Sequence, residues 1–387
     1  MTGVSAFRVP STIKYGLNAS HDAGHEAKRL RAQKALLVTD RILLEMGTTE
    51  PIVTSLENAG VEPVIYDGVN SEPTLIHVEN GLKLLQEVKC DVVVTCGGGS
   101  PIDAAKAISI MATNPGNIED YMGMDKIQKP GLPLIAVPTT AGTGSEVTQV
   151  TIITDTDRDV KMLIGSPALM PTVALVDPML TLKMPRRITA STGLDALTHA
   201  IEAYVSVKAQ PMSNLMALSA IRLIGKYLPR AWANPDDLEA RSQTMLGAMQ
   251  AGIAFSNASV ALVHGMSRPI GANFHISHGV SNAALLGVIM DFSLIGAPER
   301  YADIAQALGV PLTGKTVMEA AKAGAEIVNQ MIKQLQIPRL RDLGVQKDRL
   351  ENIAEKMAED AINSGSPGNN PRKATKEEMV ALYHAAL

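Results

Sequence analysis

The sequence predicts an α/β N-terminal domain built on a parallel sheet, followed by an all-α C-terminal domain. Three observations carry this. Short β-rich runs alternate with helical stretches up to about residue 177, the pattern of strand–helix–strand crossovers. Beyond the segment DPMLTLKMPRR (177–187), Ala, Leu, Met and Ile recur at helical spacing almost to Leu387. And 387 residues exceed the size at which a single core usually keeps growing. The domains are therefore placed at 1–185 and 186–387.

In order, KALLVTD (34–40) reads as a buried strand, followed by one helix over roughly 42–59. EPVIYDG (62–68) is the next strand, with a helix around 74–88. CDVVVTCGGGS (90–100) and PLIAVPTT (133–140) are the third and fourth strands. VTIITDTDRDVKMLI (150–164) reads as a β-hairpin with its turn near Asp155–Asp159, and TVALVD (172–177) as a further strand. In the second half the helical pattern is interrupted by NPDD (234–237) and GSPGNNPR (365–372).

Composition excludes several classes of function. A net charge of −4 gives no electrostatic case for nucleic acid or an anionic membrane, and 3% aromatic residues leave no base-stacking platform. No basic stretch followed by an apolar core opens the chain, and no uninterrupted apolar run reaches about 18 residues. The only cysteines, Cys90 and Cys96, flank DVVVT. On one strand they lie roughly 20 Å apart, too far to pair, which fits a cytoplasmic protein. What remains is a small-molecule partner.

Two loops point to a nucleotide. In VVVTCGGGSPIDAAKAI, three glycines join a strand to a helix, with Ser100 read as the N-cap and Pro101 as the first helical residue. Glycines let a pyrophosphate approach backbone amides at the positive end of a helix. VPTTAGTGSEVT (137–148) also follows a strand, and two such loops at strand C-termini converge on one crevice of an open sheet. The spacing is not G-x-G-x-x-G, so a tight strand–helix turn is the plainer reading of GGGS taken alone. Asp40 ends the first strand, where a carboxylate accepts a ribose hydroxyl and repels a 2′-phosphate, or else caps the helix that follows.

A second constellation points to a metal. In STGLDALTHAIEAY (191–204), Asp195 and His199 stand four apart on one helical face, in a polar stripe continued by Glu202. Alone, the pair also reads as a carboxylate–imidazole hydrogen bond. But SVALVHGMSRPIGANFHISHGVSNAALL (259–286) adds His264, His275 and His278, so four of the chain's eight histidines fall in these two stretches. One carboxylate oxygen with three imidazole nitrogens suits Fe2+ or Zn2+ and leaves a position for substrate.

At these motifs the chain resembles the iron-dependent (group III) alcohol dehydrogenases, a family that includes lactaldehyde reductases and 1,3-propanediol dehydrogenases. The resemblance runs nearly full length, through VTD, GGGSPIDAAKAI, VPTTAGTGSEVT, DPMLT, TGLDALTHAIEAY, AGIAFSNAS, VHGMSRPIG, HGVSNAALL and NNPR. It implies metal ligands at Asp195, His199, His264 and His278. It implies NAD contacts at Asp40, Gly97, Gly98, Gly99, Ser100, Thr139, Thr140 and Thr143, with Asp103 and Lys161 also matching residues of the cofactor region. Phe255 matches an aromatic near the substrate pocket. The chain departs from the pattern at Arg268, where many relatives carry a second histidine. His275 is then the candidate for that histidine's proton-relay role, or for lining the pocket.

The resemblance implies an NAD-linked enzyme interconverting a primary alcohol or small diol and its aldehyde, with a metal polarising the oxygen and hydride passing to or from nicotinamide. It implies Fe2+, with Zn2+ as the alternative, NAD(H) rather than NADP(H), and a homodimer or assembly of dimers. The competing expectations are a glycerol-dehydrogenase-like zinc enzyme acting on a polyol, a reductase of small anionic aldehydes using Arg268, and a nucleotide-binding sensor without catalysis.

Overall fold

The computed structural model describes residues 4–158 and 160–387. Two compact units emerge, one spanning Arg8–Lys183 and the other Met184–Leu387 together with the segment ending at Phe7. The N-terminal segment is held by Gln210, whose side-chain amide donates to the Ala6 carbonyl at 2.9 Å.

In the first unit, β1 (Thr12–Tyr15) leads through α1 (Ala23–Arg29) to β2 (Lys34–Val38), then α2 (Arg41–Glu45), α3 (Glu50–Asn58), β3 (Glu62–Tyr66) and α4 (Leu75–Val88). There follow β4 (Val92–Gly97), α5 (Gly99–Met111), β5 (Gly123–Met124), β6 (Leu134–Pro138), β7 (Val150–Asp155), β8 (Val160–Gly165) and β9 (Val173–Val176). Six strands form one parallel sheet in the order β1-β9-β6-β4-β2-β3. β4, β6 and β9 are buried along their whole length, as continuous apolar runs are in a sheet covered on both faces. Alternate residues serve opposite faces. Leu37, Val92, Val94, Ile135 and Val173 pack with α1 and α3, while Leu36, Val38 and Val93 pack with α4 and α5. β7 and β8 form the expected antiparallel hairpin, with β5 added along β8. Of its expected turn, Asp159 lies outside the described residues.

Three local expectations need correction. The helix over 42–59 is two, because Gly47 at φ +71° takes a left-handed conformation that ends α2 before α3 begins. The helix after GGGS begins at Gly99 with Gly98 as its N-cap, so Ser100 and Pro101 lie inside the first turn. β1 carries no long apolar run, being a four-residue edge strand with no fully buried residue, and it escaped the sequence reading.

The second unit is helical: α6 (Arg186–Val205), α7 (Pro211–Ala233), α8 (Leu238–Ala258), α9 (Leu262–Phe274), α10 (His278–Ser293), α11 (Pro298–Ala307), α12 (Val317–Gln334), α13 (Lys347–Asn363) and α14 (Lys376–Ala385). α6 is buried on nearly every face from Thr189 to Val205, as befits the central helix of a bundle. α6, α7 and α8 pack on one another, and α9 and α10 pack against α6. The stretch from His278 to Gly296 is long and apolar enough to cross a membrane by composition, but 61% of it is buried within the protein, as in a core helix. The GSPGNNPR break is pinned in place: Asn369 donates to Ser259 Oγ and the Val260 carbonyl, and Asn370 to Ser293 Oγ.

Candidate metal and nucleotide sites

Both sets of residues singled out by the sequence come together, each within its own unit. In the first, β2, β4 and β6 lie side by side and parallel, so Asp40, Gly97 and Thr139 reach the same edge of the sheet. The chain builds β3 on one side of β2 and β4 on the other, which makes the carboxyl ends of β2 and β4 the reversal point where open sheets bind ligands.

Here the two loops touch. A Cβ on Gly99 would stand 2.9 Å from the Thr143 methyl, and one on Gly98 would meet Thr140 at 3.5 Å. The Thr139 amide donates to the Gly97 carbonyl at 2.9 Å. No N-cap side chain caps α5, whose first turn begins at the glycines of this loop. Asp40 does cap α2, accepting from the Leu43 amide at 2.9 Å through Oδ1. Both sequence readings of Asp40 are thus compatible, since its second oxygen remains.

Asp103 and Lys161 each have protein partners. Asp103 accepts from Ser145 Oγ at 2.5 Å and the Ile152 amide at 2.9 Å, tying α5 to the second loop and to β7. Exposed Lys161 pairs with Glu72 at 2.6 Å. Beneath them, buried Lys106 donates to Ser145 Oγ, Thr148 Oγ1 and the Val150 carbonyl. Burial holds its ammonium down to about 8, and burial pushes the neighbouring Glu146 carboxyl up to about 7.

In the helical unit, Asp195 and His199 on α6, His264 on α9 and His278 at the start of α10 each present one ligand atom, all within 4.8 Å of one another. Asp195, His199 and His264 are buried; the His278 side chain is 40% exposed and forms the open side. Ring packing fixes the imidazoles: Phe255 stacks on His199 at 4.2 Å, and His199 stacks on His264 at 4.5 Å. Burial keeps His264 neutral, and loss of water on its enclosed side together with the neighbouring His264, His199 and Arg268 lowers His278, as suits metal ligands.

The geometry offers its own test of fit. The Asn282 side-chain amide nitrogen sits among these atoms, 2.6 Å from Asp195 Oδ1, 3.0 Å from His264 Nε2 and 3.1 Å from His278 Nε2. Its two hydrogens cannot serve three acceptors, and its own Oδ1 is buried with no hydrogen-bond partner. A convergent carboxylate and imidazoles that over-subscribe one amide fit a cation.

Two residues here were missed as functional candidates. Asn282 is one, and Glu202 the other: its Oε1 accepts from the Val263 amide and its Oε2 faces His264 Nδ1, both at 2.6 Å. Burial raises this carboxyl to about 7. The signal was spacing: Glu202 follows His199 by three and Asn282 follows His278 by four, the same helical stacking that relates Asp195 to His199. His275 stands apart from the group, exposed and in the left-handed conformation that ends α9. Arg268 lies one turn beyond His264, half-buried, its guanidinium donating to Ser366 Oγ at 3.0 Å.

Comparison with known proteins agrees in both units. The chain is 39% identical to 1,3-propanediol dehydrogenase of Klebsiella pneumoniae over 98% of both chains. It superposes on a crystal structure of 1,3-propanediol oxidoreductase with a TM-score of 0.97, at 39% identity and complete coverage of both chains. A sulfoacetaldehyde reductase from Bifidobacterium kashiwanohense, solved in complex with NAD+, gives a TM-score of 0.90 at 28% identity over 99% of each chain. Residues 10–178 match the family described as iron-containing alcohol dehydrogenase, and residues 189–387 match the Fe-containing alcohol dehydrogenase family, C-terminal. With its oxygen-and-imidazole cluster and glycine-rich sheet edge, the chain belongs to the iron-containing alcohol dehydrogenase family.

Proposed function

We propose that this enzyme interconverts a short primary alcohol or diol and its aldehyde, using NAD(H) and Fe2+ held by Asp195, His199, His264 and His278. The observation that carries the reading is the convergence of those four ligand atoms within 4.8 Å, from three helices. A cation bound there supplies Lewis-acid polarisation of the substrate oxygen. Zn2+ is the alternative occupant, because the same donors suit it.

The chain's own residues do the rest. Asp195 contributes the one negative charge among the four ligands. Glu202 accepts the Nδ1 proton of His264 and so turns the Nε2 lone pair inward. Phe255 keeps one face of His199 dry. Gly97, Gly98, Gly99, Ser100, Thr139, Thr140 and Thr143 cradle the dinucleotide phosphates, and Asp40 takes a ribose hydroxyl, favouring NAD over NADP. The reading extends to a homodimer or assembly of dimers, tested by sedimentation, and to the cytoplasm, which two buried free thiols suit.

The test is NADH oxidation with a panel of short aldehydes after loading with Fe2+ under anaerobic conditions, or with Zn2+. Turnover that requires the metal supports the reading. Tight NADH binding without turnover of any aldehyde overturns it in favour of a nucleotide sensor.

A further inference from the structure

Arg268 carries a charge that the fold leaves unbalanced. It follows His264 by four residues on α9, so both side chains leave the same face of the helix. Its positive charge adds to the depression of both His264 and His278, which places the guanidinium beside the ligand cluster. Yet among the described residues its one side-chain hydrogen-bond partner is the Ser366 hydroxyl at 3.0 Å. Among the described residues, no carboxylate lies within 4.0 Å of it. The nearby acid is Glu202, and both of its oxygens are already engaged, by the Val263 amide and by His264.

Asp195 and Glu202 are the carboxylates facing the cluster, and a divalent cation held there would draw on the charge of both. The guanidinium is then the uncompensated charge, in a half-buried position where an unpaired ion is costly. Its planar fork of donors, of which one meets Ser366, matches the paired oxygens of a carboxylate, sulfonate or phosphonate.

We propose that Arg268 determines substrate class, by binding an anionic group at the far end of a short alcohol or aldehyde whose oxygen faces the Asp195–His199–His264–His278 cluster. This rests on the proposed alcohol–aldehyde chemistry and narrows it. One helical turn, about 6 Å along the axis, separates His264 from Arg268. The substrate that bridges them is accordingly short, roughly two to four carbons. In the reductive direction, hydride from NADH adds to the aldehyde carbon, a proton from solvent adds to the oxygen, and the anionic group is untouched.

The experiment compares kcat/KM of the metal-loaded enzyme for propanal and butanal with that for sulfoacetaldehyde, phosphonoacetaldehyde and succinic semialdehyde. At least one anionic aldehyde is expected to exceed the neutral ones tenfold or more, and the three arms identify the anion. In Arg268→Gln, kcat/KM for that aldehyde should fall at least tenfold further than for butanal, mostly through KM, and Arg268→Lys should recover part of the difference. Ethanesulfonate and propanoate should inhibit wild type competitively where propanamide does not, a readout that needs no variant. Faster turnover of neutral aldehydes, with equal losses on both classes in Arg268→Gln, overturns the inference and leaves the alcohol–aldehyde reading standing. Absence of turnover with every aldehyde overturns both.

Discussion

Glu202 Oε2 lies 2.6 Å from His264 Nδ1, and that contact decides which imidazole nitrogen faces Asp195. The opposite ring nitrogen, Nε2, stands 3.7 Å from Asp195 Oδ1. Glu202→Gln puts an amide NH2 where one of two buried donors now finds an acceptor. Metal affinity should fall by about 10–100-fold, read by competition with a chelator. Unchanged metal retention would show that His264 is oriented by packing alone.

Asp195→Asn removes the only carboxylate of the four-residue cluster. We expect metal retention and alcohol oxidation to drop together, activity by roughly 100-fold or more. Metal analysis after gel filtration and kcat on the same preparation check this; a variant that keeps a full complement of metal and full activity sinks the assignment.

Gly99→Ala would force a Cβ to 2.9 Å from the Thr143 methyl, so one of the two loops must move. The Kd for NADH should rise at least tenfold while metal content stays at the wild-type level. Titration of NADH fluorescence measures the first and metal analysis the second.

Asp40→Ser preserves a side-chain oxygen to cap α2 but removes the carboxylate. The ratio of kcat/KM for NADPH to that for NADH should increase by about tenfold, because a phosphate would no longer meet a like charge. An unchanged ratio would leave Asp40 as a helix cap only.

Glu146 gives a pH signature. Burial raises its folded-state value to about 7 from an ordinary 4.5, so across that interval the native state holds a proton that the unfolded chain has released. Its contribution to stability is therefore full below pH 4.5 and is lost as pH rises through about 7. The stability of wild type relative to Glu146→Gln should decline over that window, by about 3 kcal/mol at most, and level off above it. Urea midpoints at several pH values provide the measurement.

The sequence was most readable where chemistry and periodicity coincide. Buried parallel strands announce themselves as apolar runs, and GGGS and TTAGTGS stand out because few loops need such residues. His264 and His278 were found as imidazoles, but their closeness to Asp195 came from how α9 and α10 pack on α6, which no local pattern records. Local signals also misled. Ser-Pro at 100–101 looks like a helix start, whereas the helix begins at Gly99, a position whose backbone lies close against Thr143. Exposed His275 shares its residue type with the ligands but not their place, since the left-handed turn ending α9 turns it out of the group. Glu202 looked like one more polar residue on a helix because its partners lie 61 and 62 residues away.

The hydrogen bond from Gln210 to the Ala6 carbonyl has a bearing on biosynthesis. Residues 4–7 leave the ribosome ahead of the whole sheet, but the surface that receives them is translated some two hundred residues afterwards. The helical unit is thus assembled from two stretches that the whole sheet separates in sequence, and a fragment starting at Met184 would be missing a piece of its own body.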